Sequence, residues 1–200
     1  MGQGLPHTDV LIIGAGLSGI GAACQLRRRS PGTSFLILEA RDDLGGTWDL
    51  FRYPGVRSDS DMYTLSYEFA PWAKDHSIGS GAEIKQYIAD AARKYDVHKA
   101  IRFGQRVLSA DWSSAEAQWT LTVQDATGDE RQMTCGFLFS CTGYYDYSGG
   151  YEPIFAGAAD FAGEIVHPQK WPEDLDYADK HVVVIGSGAT AVTLVPALAK

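Results

Sequence analysis

Cysteine is scarce in this sequence: Cys24, Cys135 and Cys141 are the whole supply in 200 residues. An odd, sparse set gives no disulfide framework, and a reducing cytoplasm is the simplest setting for it. Long apolar runs are also missing. None approaches the roughly 20 residues that cross a bilayer, so no transmembrane segment is expected, though surface association with a membrane stays open. Basic clusters are absent beyond Arg27-Arg28-Arg29, which sits where a helix should end and there suits the helix dipole. With a formal net charge of −8, the chain is not built for a nucleic-acid partner. The polar lead-in Met1 to Asp9 lacks the basic-then-apolar order of a signal peptide. There is no low-complexity segment. No metal-ligand set is assigned.

What is present is ordinary globular composition, 45% hydrophobic and 21% charged, arranged with a clear order. Asp9 to Ile13 reads as a short buried strand, Leu17 to Arg29 as an amphipathic helix stopped by Ser30-Pro31-Gly32, and Phe35 to Glu39 as a second strand. Together they predict a βαβ unit and a parallel sheet with a right-handed crossover. A loop rich in glycine and aromatics is expected from Arg41 to about Asp61. Helices are expected at Met62 to Phe69 and Glu83 to Tyr95, the latter with Ile84, Tyr87, Ile88 and Ala91 on one face. From Ile101 the apolar period shifts towards two. Arg106 to Trp112, Gln118 to Gln124 and Glu130 to Cys135 predict a three-stranded meander, with Phe137 to Cys141 a separate buried strand. After a loop from Tyr144 to Lys180, His181 to Ile185 reads as another apolar strand leading into glycines and an alanine-rich helix.

The glycines carry the chemistry. Gly14-Ala15-Gly16-Leu17-Ser18-Gly19 is a G-x-G-x-x-G turn between strand and helix. Gly14 permits the tight turn, Gly16 lets a pyrophosphate approach, and Gly19 allows close helix–strand packing. The helix N-terminus then holds the phosphates. Glu39, twenty residues beyond Gly19, can accept both hydroxyl hydrogens of an adenosine ribose. Gly186-Ser187-Gly188-Ala189-Thr190-Ala191 repeats the arrangement with alanine in the last place. Two such turns in one chain imply two dinucleotides, a resident flavin and the nicotinamide that reduces it. A βαβ unit needs about 30 residues or more, and only 20 run from His181 to Lys200. The second unit is therefore expected to be cut off in its first helix, and the chain to be a fragment.

Phe161-Ala162-Gly163-Glu164-Ile165-Val166-His167-Pro168-Gln169-Lys170-Trp171-Pro172 fits F-x-G-x-x-x-H-x-x-x-W-P. With Gly45-Gly46-Thr47-Trp48 and Arg52-Tyr53-Pro54-Gly55-Val56-Arg57-Ser58-Asp59, it resembles the type I Baeyer–Villiger flavin-containing monooxygenases, and within them the ethionamide-activating branch. The resemblance extends over essentially the whole chain. It implies an α/β fold: a Rossmann-like FAD-binding domain over residues 1–165 with an inserted β-meander, then the fingerprint linker and truncated start of a Rossmann-like NADPH domain over 166–200. It implies that Gly14, Gly16, Ser18 and Gly19 hold the FAD pyrophosphate and Glu39 the adenosine ribose. Thr47, Trp48, Asp49 and Leu50 would wrap the flavin side, and Val107 would offer its backbone to the adenine edge. Arg57, Ser58 and Asp59 would lie where FAD and nicotinamide contacts meet. Gly186, Ser187, Gly188, Ala189, Thr190, Ala191 and Val192 would receive the NADPH pyrophosphate. The implied activity inserts one oxygen atom of O₂ into a ketone to give an ester, with oxidation of thio-carbonyl sulfur as a second activity. NADPH rather than NADH rests on the resemblance.

Several residues keep a plainer alternative. In Ser58-Asp59-Ser60-Asp61 either carboxylate could cap the helix near Met62; Asp61 is taken as the cap and Asp59 as the catalytic carboxylate. His167 is assigned to the catalytic set through the family's coupling of its cofactor sites, against a structural loop histidine. Trp48 and Trp171 could be packing residues. A pyridine nucleotide–disulfide reductase would need a redox cysteine pair soon after the Glu39 strand, and none is there. A flavin-binding fragment without catalytic activity remains the other reading.

Overall fold

The computed structural model describes residues 5–200, so Met1 to Gly4 of the polar lead-in lie outside the described residues. Strand β1 (His7–Ile13), helix α1 (Leu17–Arg29) and strand β2 (Phe35–Leu38) form the expected βαβ unit. β1 and β2 run parallel, with Val10 opposite Phe35 and Ile13 opposite Leu38. The apolar run Val10-Leu11-Ile12 is buried throughout because β1 lies inside the sheet.

The other strands are β3 (Ile101–Arg102), β4 (Gln105–Ser113), β5 (Gln118–Asp125) and β6 (Glu130–Ser140). They join β1 and β2 in one sheet of order β3-β2-β1-β6-β5-β4. Pairing is parallel from β3 through β6 and antiparallel across the meander β6-β5-β4. Period-two sequence puts Leu121 and Val123 of β5 on one face. There they join Leu11, Leu38, Met133 and Cys135 in a single core cluster.

The meander's third strand and the strand expected after it are one element, not two, and its second half is not buried as expected, with Phe137 55% exposed. β6 runs unbroken through Gly136, pairing with β5 over Glu130 to Cys135 and with β1 from Thr134 to Ser140. Gly136 does not break the strand because it is not among the positive-φ glycines, and an added Cβ would meet the Asp9 carbonyl oxygen at an ordinary 3.4 Å.

The chain divides into two compact units, Met1–Gly46 with Lys85–Gly143, and Thr47–Ile84 with Tyr144–Lys200. The sheet, α1 and residues 85–94 of the long helix that begins at Gly81 belong to the first. The second contains α2 (Thr47–Leu50), α3 (Met62–Leu65), the start of α4 (Gly81–Lys94) and α5 (Ala189–Leu198). α2 replaces part of the loop expected from Arg41 to Asp61. The helix expected to reach Phe69 stops at Leu65, since Ser66 turns extended at ψ 160°. Tyr67 and Phe69 then stack, with ring centroids 4.8 Å apart, a pairing two residues apart that a helix would forbid.

His181 to Ile185 does not form the expected buried strand. The segment makes no ladder, and Val183 and Ile185 are 84% and 74% exposed. An apolar run becomes a buried strand only where neighbouring strands take up its backbone, and among the described residues none does. No helix among the described residues is long and apolar enough to cross a membrane.

α4 begins with a capping box. Ser80 Oγ accepts the Glu83 N–H at 3.3 Å, and Glu83 Oε2 accepts the Ser80 N–H at 2.9 Å. Glu83 Oε1 also takes Lys74 Nζ at 2.8 Å. The Lys74 ammonium first, then the Ser80 N–H and hydroxyl, pull the Glu83 carboxyl from its ordinary 4.5 to about 2. A depressed folded pKa stabilises above the unfolded value and is lost as pH falls towards the folded one. Glu83→Gln should therefore cost about 1 kcal/mol at neutral pH, seen as a melting-temperature drop of roughly 2–4 °C. The gap to the parent should narrow as pH falls from 4.5 towards 2. A gap that does not change with pH would contradict this account of the box.

Candidate functional site: two glycine turns and their surroundings

In the first unit, residues 14–16 connect β1 to α1. Gly14 sits at φ +102°, donates its N–H to the Leu38 carbonyl at 2.8 Å, and leaves no room for a side chain, since a Cβ would come 2.5 Å from the Cys141 carbonyl oxygen. The N-cap of α1 is Gly16, at φ −79° and ψ −169°. No side chain caps it, and the first turn holds no acid. A helix start left this way presents backbone N–H groups and the positive dipole end to an anion. Ser18 is exposed beside it.

Glu39 stands at this turn, 7% exposed. Its Oε2 accepts the Ala15 N–H at 2.8 Å and its Oε1 accepts the Arg41 N–H at 2.9 Å. Each carboxylate oxygen keeps further acceptor capacity, which suits a vicinal diol. The two backbone partners were not legible beforehand. Val107 is the third residue of β4, paired with Val123, and the ladder bulges immediately after it, between Val107 and Ser109.

The second unit holds the remaining candidates. Its glycine turn has the same local form as the first: Gly186 at φ +139°, and α5 capped by Gly188 at φ −78° and ψ −175° with no side-chain cap and no acid in the first turn. Open space surrounds Gly186 and Gly188, with nothing within 4 Å of an added Cβ at either. Ser187, Ala189 and Val192 are exposed, and Thr190 and Ala191 are half-buried.

Thr47 and Trp48 of α2 are half-buried, while Asp49 and Leu50 are buried. Arg52 Nη1 donates to Glu173 Oε1 at 2.6 Å and Nη2 to Asp49 Oδ1 at 3.4 Å, joining the aromatic loop to the segment after the fingerprint. Arg57 is exposed and Ser58 is buried, its backbone N–H on the Gly79 carbonyl and its hydroxyl accepting the Gly79 N–H at 3.2 Å. Asp61 is the helix cap: its carboxylate accepts the Thr64 N–H at 2.8 Å. Asp59 is exposed and does no capping. Its charge reaches Tyr145, whose phenol is pushed up to about 12, mainly by the Tyr144 hydroxyl, then by burial and by the nearby Tyr144, Tyr53 and Asp59 charges.

His167 caps a 3₁₀ turn over Pro168–Lys170, its Nδ1 accepting the Gln169 N–H at 3.2 Å. That places the imidazole proton on Nε2 in the neutral ring. The ring lies flush on Gly150, where any Cβ would run into it. Gln169, which is buried, donates to the Asp146 carbonyl at 2.6 Å. The fingerprint thus carries a structural clamp onto residues 146–150. Trp171 packs edge-on against Tyr177 at 6.1 Å. Among the described residues, no group of His, Cys, Asp and Glu could hold a metal ion.

A parallel sheet, a glycine turn under an uncapped helix and a ribose-ready carboxylate define a dinucleotide-binding protein of Rossmann type. A model of the NAD(P)-binding Rossmann-like domain matches residues 12–75. The chain is 58% identical over 192 residues to the FAD-containing monooxygenase EthA of Mycolicibacterium smegmatis, covering 96% of this chain and 39% of that protein. Among solved structures it matches OTEMO in complex with FAD and NADP, at 35% identity and a TM-score of 0.80, over 97% of this chain and 37% of that one. It also matches a cyclohexanone monooxygenase variant from Rhodococcus sp. Phi1 bound to NADP+, at 28% identity and a TM-score of 0.84, over 97% of this chain and 37% of that one. The chain is a homologue of the EthA monooxygenases, and its structural neighbours are Baeyer–Villiger monooxygenases, in line with the resemblance read from the fingerprint. It spans about two fifths of the length of the curated relatives it matches.

Proposed function

We propose that this chain forms the flavin-holding part of an FAD- and NADPH-dependent monooxygenase that converts ketones to esters and also oxidises thio-carbonyl sulfur, working in the cytoplasm. The observation that carries the reading is the repeated turn. Two glycine-capped helix starts share one backbone form, and neither helix has a side-chain cap or an acid in its first turn.

The residues fit both groups. Around the first turn, glycines stand where a Cβ would collide with backbone, and Glu39 keeps acceptor capacity for a ribose. At the second turn, the space a pyrophosphate needs is open. When bound, FAD supplies the redox and oxygen-transfer chemistry, with NADPH as electron donor and O₂ as oxidant.

The chain's own residues bind and orient. In the first unit, Gly14, Gly16, Ser18 and Gly19 present the α1 N-terminus to the FAD pyrophosphate, Glu39 accepts from the ribose hydroxyls, and Val107 offers backbone beside its bulge. In the second unit, Thr47 to Leu50 form the flavin-side turn, and Arg57, Ser58 and Asp59 carry contacts to the cofactors. Gly186 to Val192 receive the NADPH pyrophosphate. Asp59, free of capping duty, sets the local negative charge; His167 keeps the fingerprint loop in place while holding its proton at Nε2. The domain division that goes with this reading is an FAD-binding domain over 1–165 and the start of an NADPH domain over 166–200.

Purified chain should take up FAD and show bound-flavin absorbance. A chain that stays colourless after reconstitution would sink the reading. One observation favours a second outcome within it: the mostly exposed segment 181–185 pairs with no strand among the described residues, so none of them puts a sheet beneath the second turn. The chain alone should then hold flavin but neither oxidise NADPH nor turn over a ketone. Ester formed from a ketone by these 200 residues would overturn that part.

A further inference from the structure

Tyr53 and Thr193 are 140 residues apart in sequence, both buried, and their hydroxyl oxygens lie 3.2 Å apart within the second unit. Thr193 Oγ1 also stands 3.1 Å from the carbonyl oxygens of Ala189 and Thr190. A threonine hydroxyl has one proton and carbonyls only accept. That proton therefore serves the helix, and the Tyr53 phenol donates to Thr193 Oγ1.

Two residues further on, Gly55 sits at φ +80°, where a Cβ would come 2.5 Å from the Thr193 carbonyl oxygen and 2.8 Å from the Ala197 Cβ. The segment 53–55 thus closes on α5 at Thr193 and Ala197, one helical turn apart on the same face. The helix needs such support. Pro196 inside α5 has no N–H for the Val192 carbonyl four residues earlier, so the ladder loses a bond beside Thr193. Among the described residues, no strand precedes the helix at 181–188 to hold its other end.

We infer that Tyr53 and Gly55 are positioning residues for the second glycine turn: they seat α5 from the side, through Thr193, and so set where the N–H groups that follow Gly188 point. The consequence for NADPH rests on the reading of Gly186 to Val192 given above; the seating of the helix does not. It makes the loop that carries Arg57, Ser58 and Asp59 and the second turn parts of one mechanical element, because Tyr53 and Gly55 belong to that loop.

Hydrogen exchange on the full chain tests this, with Tyr53→Phe, Thr193→Val and Thr193→Ser beside the parent, and NADP+ titrated into each. Tyr53→Phe and Thr193→Val should speed exchange of the amides at 190–195 roughly five- to tenfold, the worth of one buried hydrogen bond. Both should weaken NADP+ binding by a similar factor with FAD uptake unchanged, and Thr193→Ser should restore both readouts. Unchanged exchange at 190–195 in Tyr53→Phe would overturn the inference. So would acceleration spread evenly to the capping box at 80–83, which is what general loosening would give. If the parent itself binds no NADP+, the dinucleotide reading of the turn falls, and the exchange pattern alone decides the seating of α5.

Discussion

Gly19→Ala is expected to strip flavin from the protein and lower its melting temperature by roughly 6–12 °C. The new methyl would drive into the Gly14 carbonyl oxygen, with the Gly14 carbonyl carbon at 3.1 Å and Ile12 Cγ2 at 3.3 Å behind it. The atoms in the way are backbone, and that backbone cannot step aside. Gly14 is tied to the Leu38 carbonyl at 2.8 Å and already stands against the Cys141 carbonyl on its other flank. α1 must therefore lift from β1, and forced overpacking of this kind costs about 3 kcal/mol at its upper end. Alanine would otherwise favour a helix by about 1 kcal/mol over glycine, so any net loss isolates the collision. Two comparisons sharpen the test. Gly32→Ala meets nothing within 4 Å and should leave both stability and flavin content alone. Gly188→Ala also meets nothing, so it should keep the melting temperature and weaken only NADP+ binding. A Gly19→Ala protein that is as stable and as yellow as the parent would show that the packing at this turn is not what closes the cradle.

The βαβ unit was legible almost to the residue because its signals agree. An apolar run, glycines at the turn, a 3.6-period helix and a second apolar run all favour the same local structure. Where the local signal was ambiguous, the reading failed for a physical reason. Gly136 resembles a breaker, yet strand pairing on both sides of it holds β6 straight. Tyr67 and Phe69 read as the end of a helix, yet they stack, which a pair two residues apart on a helix does not do. His181 to Ile185 has the composition of a buried strand, and composition cannot say whether partners exist.

The site was legible in the same uneven way. Motif glycines and Glu39 announce themselves by spacing, and Asp61 by its place before a helix. The partners that make those residues work do not. Nothing in the sequence says that Ala15 and Arg41 share the Glu39 carboxylate, or that Tyr53 finds Thr193. His167 shows the opposite case. Its motif suggested chemistry, and its surroundings add a structural duty that spacing did not announce, a turn cap and a glycine contact.

Glu39→Ala should destabilise the protein even before any cofactor is added, and this separates two roles that the motif alone conflates. If the carboxylate served only a ribose, the flavin-free protein would not miss it. In the structure it holds two backbone N–H groups, one of them on Ala15, which is fully buried at the centre of the turn. An unsatisfied buried donor costs about 1–3 kcal/mol. Arg41 is half-buried, so water can replace its partner at smaller cost, and the Ala15 N–H carries most of the loss. The flavin-free variant should melt roughly 2–12 °C lower, by calorimetry or dye binding. Glu39→Gln is not a mild version of the same change. Its amide offers one oxygen to two donors and turns an NH₂ towards the other N–H, so it should fall between the parent and Glu39→Ala. Flavin affinity should drop further than the stability loss accounts for in both variants, since the ribose loses its acceptors as well. Equal melting temperatures for flavin-free parent and Glu39→Ala would mean that the carboxylate waits for its ligand and does not hold the turn in shape.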